Sequence, residues 1–200
     1  MPFAKSRRRS SLDNFKIHIT TRPAPSVNST MELHVYRQNS QDRVIKSSSQ
    51  DSTLYFILSP FRFFSTPPKQ VYRGSSESDK HIATIVRDGH WRPRYIITTS
   101  PNGEDVVITH PGTFSSKSKF FFGGREFAWQ ADKELIDLST GEVIARFNRS
   151  RCAIRKKSVL TVSVAGMEIV DVVVLTGIAM QYRWEATRRH KRADASAGGG

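Results

Sequence analysis

Between Thr53 and Val164 the large apolar side chains fall in short β-branched and aromatic runs, broken every few residues by polar turn formers. The pattern predicts strands over Thr53 to Leu58, Val71 to Arg73, His81 to Val86, Arg94 to Thr99, Asp105 to His110, Lys119 to Phe122, Arg125 to Gln130, Lys133 to Leu138, Glu142 to Phe147 and Ser158 to Val164. Glycines in Pro101-Asn102-Gly103, Gly123-Gly124, Thr140-Gly141 and Ala165-Gly166 supply the backbone freedom that hairpin reversals need. Strands this closely spaced, with no helix between them, make antiparallel meanders that close as a barrel or sandwich. Alternation along Glu142 to Phe147 assigns Val143, Ala145 and Phe147 to the core face and Ile144 and Arg146 to the other. Phe127, Trp129 and Leu135 extend the apolar inventory, and Trp91 reads as a packing residue.

The period changes near the carboxyl end. Asp171 offers an N-cap, after which Val172, Val173, Val174, Leu175, Ile178, Ala179 and Met180 would cover every side of a helix continuing to about His190. Arg188, Arg189, Lys191 and Arg192 suit the negative pole of its dipole. A helix that is apolar all round must be enclosed, and in this chain only the β-structure can enclose it, so the helix belongs inside a barrel. From Asp171 to His190 it would span about 30 Å. The competing reading makes Met167 to Leu175 another strand, because valine favours strands.

Residues 1 to 51 are rich in Ser, Arg, Asn and Gln and are expected to be mostly a disordered tail. Leu33 to Tyr36 and Phe15 to Ile19 could at most add an edge strand. Residues 192 to 200, ending in three glycines, read as a second tail. The domain is thus expected over residues 52 to 191.

Charge alters this picture only once it is located. Of 31 Lys and Arg and 18 acids, residues 1 to 50 hold nine and three, 51 to 145 hold eleven and eleven, and 146 to 200 hold eleven and four. Basic ends around a neutral middle suggest contact with polyanions, meaning an anionic membrane face or nucleic acid. The densest run is Arg146 to Lys157, in which Arg146, Arg149, Arg151, Arg155, Lys156 and Lys157 occur with no acid. Such a run can neutralise headgroup phosphates, or it can simply protect a strand edge from unwanted pairing. Arg7, Arg8 and Arg9 before Ser10 and Ser11 fit a basic-directed phosphorylation site, where added negative charge would weaken attraction to an anionic surface.

A single cysteine, Cys152, and no apolar signal segment point to an intracellular, reducing setting: cytoplasmic, at a membrane surface, or nuclear. No apolar stretch is long enough to form a transmembrane helix. The six histidines show no metal-ligand spacing, and phosphate-binding glycine loops and nucleophile elbows are missing, so neither a metal, a cofactor nor a catalytic residue is expected.

Leu54-Tyr55-Phe56, Val71-Tyr72, Phe127-Ala128-Trp129, Val143-Ile144-Ala145-Arg146-Phe147, Leu160-Thr161-Val162 and Asp171-Val172-Val173-Val174-Leu175-Thr176 together resemble a fungal family of uncharacterised domains. That family is placed in the tubby C-terminal-like superfamily, alongside LURP-one-related proteins and phospholipid scramblases. The resemblance covers residues 52 to 191 and implies a closed barrel of up to twelve strands around a hydrophobic C-terminal helix, with no enzymatic activity. Tubby-type relatives bind phosphoinositides through basic residues, but no motif here carries those positions over. The lipidation and calcium-binding segments of scramblases are missing. The sequence therefore predicts a non-enzymatic binding or scaffold module of the mainly β class, peripheral to anionic phospholipid. A nucleic-acid-associated protein using its basic tails is the alternative, and a hydrolase comes third. Oligomeric state is open.

Overall fold

The computed structural model describes residues 30–39, 42–48, 52–60, 67–89, 94–100, 103–110, 117–131, 133–149 and 156–197, with 149, 156, 157 and 189–197 as backbone only. Twelve strands precede two helices: β1 (Met31–Arg37), β2 (Arg43–Ser47), β3 (Thr53–Leu58), β4 (Lys69–Arg73), β5 (Lys80–Asp88), β6 (Arg94–Thr99), β7 (Val106–Ile108), β8 (Lys117–Phe122), β9 (Arg125–Gln130), β10 (Glu134–Asp137), β11 (Val143–Arg149), β12 (Lys156–Val162), α1 (Val164–Met167) and α2 (Val170–Ala197).

All neighbouring strands pair antiparallel in the order β7-β6-β5-β4-β3-β2-β1-β12-β11-β10-β9-β8. Sequence neighbours thus lie side by side, and the first and last strands pair as well, with Leu33 opposite Leu160. The two ends of the sheet meet where Thr109 and Lys119 exchange N–H to carbonyl bonds, each 2.9 Å. That bridge makes the sheet a nearly closed barrel, mainly β as its alternation predicts.

Two strands lie where a disordered tail is expected. β1 and β2 are interior strands of the sheet, not edges: Leu33, Val35 and Ile45 have no exposed surface. β1 buries two apolar residues and β2 only Ile45, among polar ones, and their stability comes from pairing with β12, far away in sequence, and with β3. The ten strands predicted from Thr53 onward are all present, within a few residues at their ends. Gly123, Gly124 and Gly141 adopt φ of 56°, 71° and 72°, as their hairpins require.

Ala165-Gly166 is not a hairpin turn. It lies in α1, which Ser163 caps by accepting from the Gly166 N–H. A Cβ on Gly166 would stand 2.7 Å from the Ile144 carbonyl, so glycine is needed here for close approach. Ile144 itself departs from simple alternation. Leu135 faces Ala145 and Ile136 faces Val143, which leaves Ile144 as the extra residue of a bulge, turned inward and fully buried beneath α1.

Met167 to Leu175 forms no strand: Met167 ends α1, residues 168 and 169 make a turn, and Val170 to Leu175 open α2. α2 begins at Val170, so Asp171 belongs to its first turn and not to the cap, and it runs 28 residues, about 42 Å, through positions assigned to a tail. Val172 to Gln181 are buried without interruption. A Cβ on Gly177 would touch Trp129 of β9 and Phe147 of β11 at 3.6 Å, while Tyr182 bonds Ser59 at the end of β3, far round the ring. Burial on all sides follows from this enclosure, and roughly 1.5–3 kcal/mol per large buried side chain stabilises it.

Candidate functional site

The meander gives the barrel two distinct ends. Connections β1–β2, β3–β4, β5–β6, β7–β8, β9–β10 and β11–β12 leave one end, and the intervening connections, with α1, leave the other. α2 starts at the second, the entry end, and emerges at the first, the exit end. Contacts fix this polarity: Asp171 bonds Tyr55 and Arg73 at the entry end, whereas Tyr182, Arg183 and Glu185 bond Ser59, His110 and Arg43 at the exit end.

Cations dominate the exit end. Among the described residues Arg37, Arg43, Lys69, Lys117 and Lys133 stand at strand ends or turns there, and Arg183 and Arg188 lie on the emerging helix. The backbone of α2 then carries Arg189, Lys191 and Arg192 outward. Two side chains tie the helix to the rim. Arg183 donates from Nη1 to Ser118 Oγ at 2.6 Å and from Nη2 to His110 Nε2 at 2.8 Å. His110 must then carry its proton on Nδ1, which donates to the Lys117 carbonyl at 2.9 Å. On the opposite wall Arg43 donates to Glu185 at 2.6 Å, and its guanidinium lies 4.2 Å from the Tyr182 ring centroid.

Of the residues singled out from sequence, Arg149 ends β11 opposite Ser158, and Lys156 and Lys157 open β12, which sets all three at the exit end. Arg146 lies further back on β11, exposed, and pairs with Glu134 at 3.2 Å. Arg151, Arg155, Ser10, Ser11 and Trp91 lie outside the described residues. The β11–β12 hairpin and the basic end of α2, distant in sequence, thus leave the same end of the barrel.

The entry end differs in that three of its acids, Asp79, Asp137 and Asp171, are tied into local networks of donors from the chain itself. Asp137 is fully buried and accepts from Ser139 N at 2.8 Å, Ser139 Oγ at 2.6 Å and Arg125. Burial pushes its carboxyl up, but the bonds from Ser139 and Arg125 outweigh that and hold it down at about 2. Asp79 accepts from the Ser75 and Ser76 N–H groups, which lower it as well. Burial, followed by the Asp171 hydrogen bond, pushes the Tyr55 phenol far above its ordinary value.

Arg43 was missed by reading the sequence, since it sits in a polar stretch and its partner Glu185 is 142 residues away. One local signal existed: Arg43 shares the inward parity of Ile45 on β2. Among the described residues no group of three His, Cys, Asp or Glu could hold a metal ion, and no helix is long and apolar enough to cross a membrane. Comparison with curated proteins and with solved structures finds no match. A family model does match, over residues 35–186, and it begins within β1, where the fold also places the start of the barrel. The chain therefore belongs to the Family of unknown function (DUF6593).

Proposed function

We propose that this protein is a non-enzymatic, intracellular binding module that associates peripherally with anionic phospholipid, phosphoinositides included, through the exit end of its barrel. The observation that carries this reading is the convergence of two basic segments, the β11–β12 hairpin and the emerging end of α2, on one end. Each cation near an anionic surface contributes roughly 1 kcal/mol before salt screening, so several acting together give a useful affinity. Arg149, Lys156 and Lys157 form the described part of the contact, and Arg151 and Arg155 complete it from the intervening sequence. Arg146, already paired with Glu134, contributes less. We also propose kinship with the fungal, tubby C-terminal-like branch, which the helix-filled barrel supports at the level of plan.

The test is co-sedimentation at physiological salt with vesicles containing phosphoinositide and with neutral vesicles. Recovery with the anionic vesicles alone is expected, and equal recovery with both overturns the reading. Binding to DNA or RNA that falls steeply with salt, without vesicle recovery, would assign the basic end to nucleic acid instead.

A further inference from the structure

The outer wall of the barrel carries an apolar row that crosses the seam. Ile85, Ile97, Ile108 and Phe120 are buried in the core, so by alternation their neighbours Val86, Ile96, Val107 and Phe121 stand outside on β5, β6, β7 and β8. Register sets them side by side: Val86 is opposite Ile96, and Ile96 is opposite Val107. Val107 and Phe121 each lie two residues from the Thr109–Lys119 bridge, toward the entry end, so they neighbour each other across the seam. Phe121 is 62% exposed and Val107 38%, and Val86 and Ile96 are partly exposed. Scattered exposed apolar residues are ordinary, but four in contiguous register make a patch of the kind that marks a contact surface. Its rims are polar, with Asp88, Arg94 and Lys119 toward the exit end and Thr84 and Thr98 toward the entry end.

Charge decides which partner fits. The chain carries +13, and two copies repel each other at the exit end, where cations dominate. This wall is balanced instead: Arg94 pairs with Asp88 at 2.6 Å and Lys119 with Glu126 at 3.0 Å. Its rim is also self-complementary, because the acid on β5 and the base on β8 stand at opposite ends of the row. A two-fold axis lying in the contact plane, along the strands between β6 and β7, exchanges β5 with β8 and β6 with β7. It lays Phe121 of one copy on Val86 of the other, Ile96 on Val107, and Asp88 beside Lys119. An axis across the strands would set the charged rim on Thr84 and Thr98 and leave it unanswered.

We propose that the wall formed by β5 to β8 is a self-association surface, through which two copies of the chain pair about a two-fold axis along the strands. The four apolar side chains form its centre, and an Asp88 to Lys119 pair closes each end of the row. Both exit ends then face the same way, so a pair presents its basic ends together. The inference does not depend on what those ends bind. A row of four side chains is at the small end of specific interfaces, which bury about 1,200–2,000 Å², so the pairing is of modest affinity.

Sedimentation equilibrium of the full chain at physiological salt should show reversible pairing with a Kd of about 10–100 µM. Phe121→Asp should weaken it by at least about tenfold with an unchanged melting transition, since the ring is mostly in water in the single copy. Asp88→Lys and Lys119→Asp each set like charges together and should each weaken pairing by about tenfold, whereas the double variant Asp88→Lys/Lys119→Asp should return it to within about threefold of the parent. A monomer at every concentration up to about 300 µM overturns the proposal and leaves the wall to a different occupant. Association that Phe121→Asp does not change rejects this face, and growth past two copies rejects the two-fold arrangement. Two weakening reversals that the charge swap fails to rescue reject the axis along the strands.

Discussion

The two ends of the barrel use charge in opposite ways. At the entry end, Asp137, Asp79 and Asp171 each accept bonds from their own chain, and their charge is absorbed by Ser139, Arg125, Ser75, Ser76, Tyr55 and Arg73. At the exit end cations outnumber acids, and Arg43 and Gln181 keep atoms with no partner. At the entry end Asp137, Asp79 and Asp171 are met by donors of the chain, an arrangement that favours stability. The exit end is arranged to meet something else, since uncompensated like charges and unmet donors reduce stability unless a partner relieves them.

This contrast can be broken most forcefully through α2, the element shared by both ends. Leu175 is 2% exposed, and Leu175→Ala should lower unfolding free energy by about 3 kcal/mol in chemical denaturation. A change under ~1 kcal/mol would mean the helix is not enclosed. At the entry end, Asp137→Asn should cost roughly 2 kcal/mol, since it removes a charged acceptor from Arg125 and Ser139. The same carboxylate predicts a pH profile. Its folded value, about 2, lies below its ordinary one, so its contribution is complete above about pH 4 and disappears as pH falls toward 2. Parent and Asp137→Asn should therefore converge in stability across that window, and a constant difference would contradict the assignment.

Substitutions at the exit end should reverse the ranking, leaving stability alone and changing binding. Lys156→Glu together with Lys157→Glu should lower affinity for anionic vesicles by at least about tenfold while shifting unfolding free energy by less than ~0.5 kcal/mol. Arg146→Ala should have the smallest effect. It removes an exposed pair with Glu134, worth about 0–1 kcal/mol, and should lower vesicle affinity less than the paired reversal does.

Legibility in the sequence follows the same physical divide. β3 to β12 could be read because glycine turns and β-branched runs are local signals, and α2 because apolar residues on every side call for an enclosed helix, although its valine-rich start also fitted a strand. β1 and β2 could not, because their partners β12 and β3 supply the pairing that stabilises them, and short runs such as Arg43-Val44-Ile45 sit among polar residues. Ile144 defeated simple alternation because a bulge opposite Leu135 shifts parity by one. The basic run from Arg146 onward was legible as charge, but its meeting with the end of α2 depends on topology. Arg43 and Gln181 were invisible as a pair, because only the fold brings both to Glu185.

The central claim is that anionic membranes meet the exit end and not the entry end. With Cys152→Ser as background, an environment-sensitive fluorophore can be placed at Lys133→Cys on the exit side and, separately, at Glu142→Cys on the entry side, both exposed positions. On addition of phosphoinositide vesicles, the emission of the probe at position 133 should shift to the blue and that at position 142 should stay unchanged. A shift at position 142 alone, or equal shifts at both, would contradict the account.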